Sequence, residues 1–204
     1  MFDIEFYRLE NGKGPVEDFL DSLNPKMRNK AVRSLELLEE FGNTLREPNS
    51  KAMGDGLYEL RIKFSSDITR IFYFFYVKNK IVLTNGFVKK RNELRQPKLN
   101  LLESTKLIMR GGILMSDLKH YIERQMNDPE FKAEYDASET EYQLTRSLIA
   151  ARIASNMTQK ELADKSGVRQ SNISRIESGS CSPTVATLQA LAEGLGKKLV
   201  ISFR

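Results

Sequence analysis

The run ITRIFYFFYV, Ile68 to Val77, constrains this chain more than any other stretch. It is rich in aromatic and β-branched residues, and its one charge is Arg70. Residues of that kind favour a pleated, packed surface, so the run is predicted to be a central strand. A central strand needs neighbours. LYELRIKF, Leu57 to Phe64, alternates apolar and polar residues and precedes it across a Ser65-Ser66-Asp67 turn. IVLTNGFVKK, Ile81 to Lys90, follows it across a tight turn at 78–80. The two-residue period puts Leu60 and Ile62 on one face and Glu59, Arg61 and Lys63 on the other. Arg70, Phe72 and Phe74 share a face, as do Asn85, Phe87 and Lys89.

Upstream, DIEFYR (Asp3 to Arg8) alternates as a half-buried strand does. Pro15 stands at a helix start, and Val16, Phe19, Leu20 and Leu23 recur at helical spacing. Asn24 precedes Pro25 as an N-cap. Ala31, Leu35, Leu38 and Phe41 then give the apolar stripe of a second helix, which Gly42 ends. Lys26, Arg28, Lys30 and Arg33 cluster in its first half, and REPNSKAMGDG reads as loop. Residues 1–109 therefore predict an α+β module, a small antiparallel sheet with two N-terminal helices.

The second half is helical. Leu144, Leu148, Ile149, Ala151 and Ile153 mark one helix. Thr158 with Glu161 makes a capping box for a short helix ended by Gly167. RQSNISRIESG, Arg169 to Gly179, is a second short helix with Ile173 and Ile176 inward. Thr184 caps a fourth that runs to Gly194, and Lys197 to Phe203 is predicted to be a terminal strand. Between the halves, Ser116-Asp117 opens a helix through Leu118, Tyr121, Ile122 and Met126. Asn127-Asp128-Pro129 interrupts it, and Phe131 and Tyr135 belong to the next helix.

Charge follows this division. The net +5 of the 204 residues hides 20 Lys/Arg against 15 Asp/Glu over 1–114, 3 against 8 over 115–141, and 9 against 4 over 142–204. Two basic modules flank an acidic strip, and basic surface favours nucleic acid through counterion release. One cysteine, Cys181, excludes an internal disulfide framework. One histidine, His120, removes most histidine-based catalytic and metal schemes, so neither metal nor cofactor is expected. No apolar run approaches the roughly 20 residues of a membrane helix, and the first residues lack a basic-then-apolar leader. The expectation is a cytoplasmic protein without membrane contact.

The order strand–helix–helix–strand–strand–strand, with ELR…RIFYFF…NGFVKK, resembles the RelE/HigB superfamily of toxins over about residues 3–90. That resemblance implies a ribosome-dependent mRNA interferase. Such an enzyme lets the RNA 2′-hydroxyl attack the adjacent phosphate, and must position that phosphate and stabilise the charge that develops. Arginine suits the task with a planar fork matched to phosphate oxygens, and lysine supplies a point charge. Arg61, Arg70, Lys89 and Lys90 are the candidates, with Tyr73, Asn85 and Phe87 as RNA contacts.

TQKELADKSGVRQSNISRIESG…PTVATLQALAEGLG resembles the Xre/λ-repressor-like helix-turn-helix family over about residues 144–196. The resemblance implies that the N-terminal part of the second helix enters the major groove. Gln159 is a candidate for bonding a phosphate and a base-reading side chain, Arg169, Gln170, Ser171, Asn172 and Ser174 are candidates for reading DNA, and Lys165 and Arg175 for meeting phosphates. DPEFKAEYD resembles the segment that precedes the DNA-binding domain in HigA-like antitoxins.

The domains expected are a toxin module (1–109), a linker (110–114), an acidic antitoxin segment (115–141) and a DNA-binding domain (142–204). The purine-rich codons available to Arg110-Gly111-Gly112 and the methionine at 115 suggest that two neighbouring genes have fused. The partners expected are mRNA on the ribosome, operator DNA, a second copy in a homodimer, and toxin–antitoxin contacts within or between chains. A DNA-binding regulator whose toxin-like module serves only as an interaction domain is the alternative.

Overall fold

The computed structural model describes residues 1–9, 12–64, 67–77, 79–89 and 117–202. The linker at 110–114, Met115 and Lys90 lie outside them. The chain divides into two compact units, Met1–Ala137 and Ser138–Arg204.

The first unit is α+β. Strand β1 (Asp3–Phe6) is followed by helices α1 (Pro15–Ser22) and α2 (Pro25–Phe41), then strands β2 (Ser50–Gly54), β3 (Leu57–Phe64), β4 (Asp67–Tyr76) and β5 (Lys80–Lys89). The sheet order is β1-β5-β4-β3-β2, which makes ITRIFYFFYV its middle strand. Two expectations need correction. The sheet is not wholly antiparallel: β1 runs parallel to β5, with Ile4 opposite Ile81 and Phe6 opposite Leu83. The two helices between β1 and the hairpins supply the crossover that a parallel pair requires. The segment read as a loop also contains β2, whose Ser50 pairs with Leu60. The polar SKAMG gives no apolar signal because it is an edge strand, exposed beyond Ser50.

Local chemistry sets the helix ends. Pro15 and Pro25 stand in first turns, where a missing N–H costs nothing. The Asn24 side chain accepts from Met27 N at 2.9 Å. Helix α1 lies against β5, and α2 against β3 and β1. One sheet face is buried there, with Ile4, Phe6, Leu60, Ile62, Ile71 and Leu83 inside. Contact between α1 and β5 is close: a Cβ on Gly86 would lie 2.0 Å from the Phe19 ring, so only glycine fits.

Helices α3 (Asp117–Gln125) and α4 (Pro129–Ala137) belong to this unit. Asp128 separates them and caps α4, accepting from Glu130 N at 3.0 Å. The second unit comprises α5 (Glu139–Ala154), α6 (Gln159–Ser166), α7 (Gln170–Glu177) and α8 (Val185–Gly194) around Leu148, Leu162, Ile173, Ile176, Leu191 and Leu195. The capping box at Thr158 and Glu161 is formed, Thr184 caps α8, and Gly167 ends α6 at φ 71. The terminal strand is not: residues 197–202 take no regular structure, and Phe203 lies outside the described residues. A strand needs a partner edge, and the described residues of this unit are otherwise helices and turns. Among the described residues no helix is long and apolar enough to cross a membrane.

Candidate functional site

Pairing of β3 with β4 sets Arg61 directly opposite Arg70, and pairing of β4 with β5 sets Arg70 opposite Phe87. Glu59, two residues before Arg61, points to the same face. Its carboxylate joins the two arginines: Arg61 Nε donates to Oε1 at 2.6 Å and Arg70 Nη1 to Oε2 at 2.5 Å. The Glu59 side chain is 0% exposed, that of Arg70 10% and that of Arg61 29%. Arg61 is therefore the outer charge and Arg70 the inner one. A more distant carboxylate, Glu47, lies 3.8 Å from Arg61 Nη1 and is exposed. The Phe87 ring sits 5.6 Å from that of Phe72, tilted by 37°.

Two residues named from the sequence, Tyr73 and Asn85, stand differently, and Lys89 keeps its expected place. Tyr73 is fully buried on the opposite face, where its hydroxyl and Ser50 Oγ lie 2.5 Å apart. Burial pushes its pKa up to about 12, against the lowering effect of the Ser50 hydrogen bond. It stacks on Tyr58 at 5.4 Å, as a core aromatic does, and offers RNA no surface. Asn85 Oδ1 accepts from Gly86 N at 2.8 Å, so its oxygen is already engaged. Lys89 closes β5 opposite Ile68. Sequence reasoning missed Glu59 as a member of the cluster. The signal was there, because the E-L-R spacing puts acid and arginine on one face, but a strand carboxylate reads by default as solvated.

A second constellation joins α3 and α4 to the rest of the first unit. Asp117 Oδ2 accepts from Phe6 N at 2.7 Å. Tyr121 packs on Phe6 with ring centres 5.8 Å apart, and its hydroxyl donates to Asp21 at 2.8 Å. Burial first, and that bond second, raise the Tyr121 pKa. Arg124 pairs with Glu17 and with Asp21. Arg28 donates to Gln125 at 2.7 Å and lies 3.6 Å from Asp128. Arg33 donates to the Tyr135 carbonyl at 3.0 Å and stacks 3.6 Å over its ring. Leu118, Tyr121 and Phe131 are buried. The acidic segment thus meets the basic start of α2, but the charges run both ways, since Arg124 meets acids of α1. The docked surface comprises β1, α1 and α2.

In the second unit Glu177 is 1% exposed and forms a two-pronged pair with Arg152, Nε to Oε1 at 2.6 Å and Nη2 to Oε2 at 2.9 Å. Arg152 Nη1 also donates to the Met157 carbonyl at 2.9 Å. Gln159 Nε2 donates to Glu177 at 2.8 Å, and Gln159 Oε1 accepts from Gln170 Nε2 at 3.1 Å. A chain of bonds therefore runs from the core to the exposed start of α7 and orients Gln170. Ser171 and Asn172 are exposed in its first turn, Arg169 is exposed just before it, and Arg175 is exposed near its end. Ser174 is half-buried, and Lys165 is exposed in the last turn of α6. Arg152 and Glu177 were not singled out from the sequence, because charged residues on short amphipathic helices carry no mark of burial.

Comparisons with known proteins agree with this division. Residues 18–105 match the family described as phage-derived Gp49-like proteins, and residues 148–201 match the helix-turn-helix family. An HTH-type transcriptional regulator of Sinorhizobium fredii is 41% identical over 66 residues, 32% of this chain and 33% of that protein. Antitoxin HigA1 of Mycobacterium tuberculosis is 37% identical over 87 residues, 42% of this chain and 58% of the antitoxin. The chain thus spans between a third and just under three fifths of the length of these relatives.

Proposed function

We propose that this chain, whose residues 18–105 match Gp49-like proteins and whose residues 148–201 match the helix-turn-helix family, is a RelE/HigB-like toxin and its Xre-type antitoxin on one polypeptide. The toxin, residues 1–109, is an mRNA interferase acting on the ribosome. The antitoxin binds operator DNA and represses its own transcription. The observation that carries the catalytic half is the Arg61–Glu59–Arg70 cluster, two guanidiniums facing each other across adjacent strands. In the reaction the RNA 2′-oxygen bonds to the adjacent phosphorus as the bond to the 5′-oxygen breaks, leaving a cyclic phosphate and a 5′-hydroxyl. Arg61 and Arg70 stabilise the negative charge that builds on the phosphoryl oxygens, with Lys89 and Lys90 adding positive charge. Phe87 stands beside Arg70 as a surface for a base. The acidic segment restrains this activity by holding β1, α1 and α2.

One observation favours the second reading, a regulator without enzymatic activity. Asn85 beside the cluster is a carboxamide, which neither gives nor takes a proton, and its oxygen is occupied. Cleavage of a reporter mRNA on translating ribosomes decides between the two. The full chain, and the same chain with the clamp weakened by Phe131→Ala, are compared with and without Arg61→Ala. Loss of Arg61 should lower cleavage by about 100-fold or more. Absence of cleavage from both Arg61-containing chains, with operator binding intact, selects the non-enzymatic reading.

For the DNA-binding half, Asn172→Ala should cost about 1–3 kcal/mol on operator DNA and relax specificity at one position. Lys165→Ala should instead weaken binding evenly across sequences and lower the salt slope by about 1. Band-shift titrations over a salt series, on the DNA upstream of the gene, separate the two effects. A homodimer on a two-fold operator is part of this proposal, with sedimentation of the full chain as its measurement.

A further inference from the structure

We infer that Glu59 is a positioning residue, which holds Arg61 and Arg70 together as a preformed cradle for the phosphodiester of single-stranded RNA. The inference deepens the mRNA-interferase reading and rests on it for the identity of the ligand.

Like charges directly opposite each other on neighbouring strands repel, so Arg61 and Arg70 do not stay together unaided. Glu59 resolves this from below. Its carboxylate is fully buried and lies opposite Phe72 in β4, so it has little access to water. A carboxylate in that position requires cationic partners, which ties both guanidiniums to one point.

The way Glu59 is shared is informative beside Arg152 and Glu177 in the second unit. There one arginine and one carboxylate close on each other through two bonds, and the pair spends itself on structure. Glu59 instead gives one oxygen to each arginine. Arg61 uses only Nε toward it, and Arg70 only Nη1. Neither fork is closed. Arg70 Nε is buried with no hydrogen-bond partner among the described residues, which leaves this donor open. Glu59 alone leaves the two arginines one positive charge in excess; the exposed Glu47 carboxylate, 3.8 Å from Arg61 Nη1, offsets it only from the solvent side, where a phosphate can displace it from the outer arginine. A phosphate group has the charge and the oxygens to complete the cluster.

Charge alone predicts that removing the Glu59 carboxylate makes the site more positive and tightens anion binding. Positioning predicts the reverse, and the test turns on that sign. Inorganic phosphate is titrated into the full chain labelled with nitrogen-15, with the arginine Nε–H resonances of Arg61 and Arg70 as readout. The wild type should show saturable shifts of both. Glu59→Gln should weaken phosphate binding by about tenfold or more, and Glu59→Asp should recover part of the loss. Arg61→Lys keeps the charge and leaves the buried carboxylate paired with Arg70, yet should also weaken binding because the Nε bond is gone. It serves if Glu59→Gln does not fold. Phosphate binding by Glu59→Gln, or by Arg61→Lys, as tight as in the wild type overturns the proposal, as does the absence of shifts in the wild type. Phosphate binding that depends on Glu59, in a protein that cuts no mRNA, upholds the cradle and removes the interferase reading instead.

Discussion

Replacing Glu177 by alanine is expected to lower the stability of the second unit by about 3–5 kcal/mol, the usual cost of leaving a buried charge without its partner. Arg152 is nearly as buried as Glu177 and would keep only its bond to the Met157 carbonyl. The effect should be local. Chemical denaturation of the full chain should show the transition of Ser138–Arg204 moved to lower denaturant, with that of Met1–Ala137 in place. On the proposed function, operator binding should fall further than stability alone explains, because Gln159 loses the oxygen that anchors it and with it the orientation of Gln170. The double substitution Arg152→Met with Glu177→Leu should be far milder than either half, since two apolar side chains need no partner. A single substitution as mild as the double would show that water reaches the pair.

The second large effect is expected at Phe131, which is fully buried in α4 with Tyr135 at 5.8 Å. Phe131→Ala should cost about 3–5 kcal/mol, from lost burial and from the cavity left behind. The polar ties around it are more exposed and worth less: Lys26 with Glu134 at 3.7 Å, and Arg28 with Asp128 at 3.6 Å. Helix α4 should therefore come off α2 well below the unfolding point of the sheet. Hydrogen exchange would report it as lost protection over 129–137 with β4 still protected. On the proposed function the same variant cuts more mRNA than the wild type. Unchanged protection in α4 would mean that the Arg33–Tyr135 contacts hold the helix without Phe131.

What could be read from the sequence was what local chemistry decides. Asn24, Thr158 and Thr184 cap the helices they precede because each offers an oxygen to a free N–H. ITRIFYFFYV lies in the middle of the sheet because nothing else buries so many aromatic and branched side chains. What could not be read was pairing. The parallel match of β1 with β5 depends on two edges brought together by the intervening helices, and β2 is a strand only because β3 has an edge to fill. The strand expected at the C-terminal end fails for the converse reason. Burial of charge was equally silent: Glu59, Arg152 and Glu177 look like solvated residues until their partners are in view. For Tyr73 the two-residue period already sets it on the face away from Arg70; what the sequence does not show is that this face is fully buried there.

Docking of α3 and α4 on β1, α1 and α2 of the same chain has a consequence for dose. Two separate proteins in a reversible complex come apart as they are diluted, so growth of the cell volume or a pause in synthesis of one partner shifts the balance between them. A clamp carried by the chain it grips is present in fixed one-to-one proportion, at a local concentration set by the tether and not by the cell. On the proposed function, restraint of the toxin would then be indifferent to copy number.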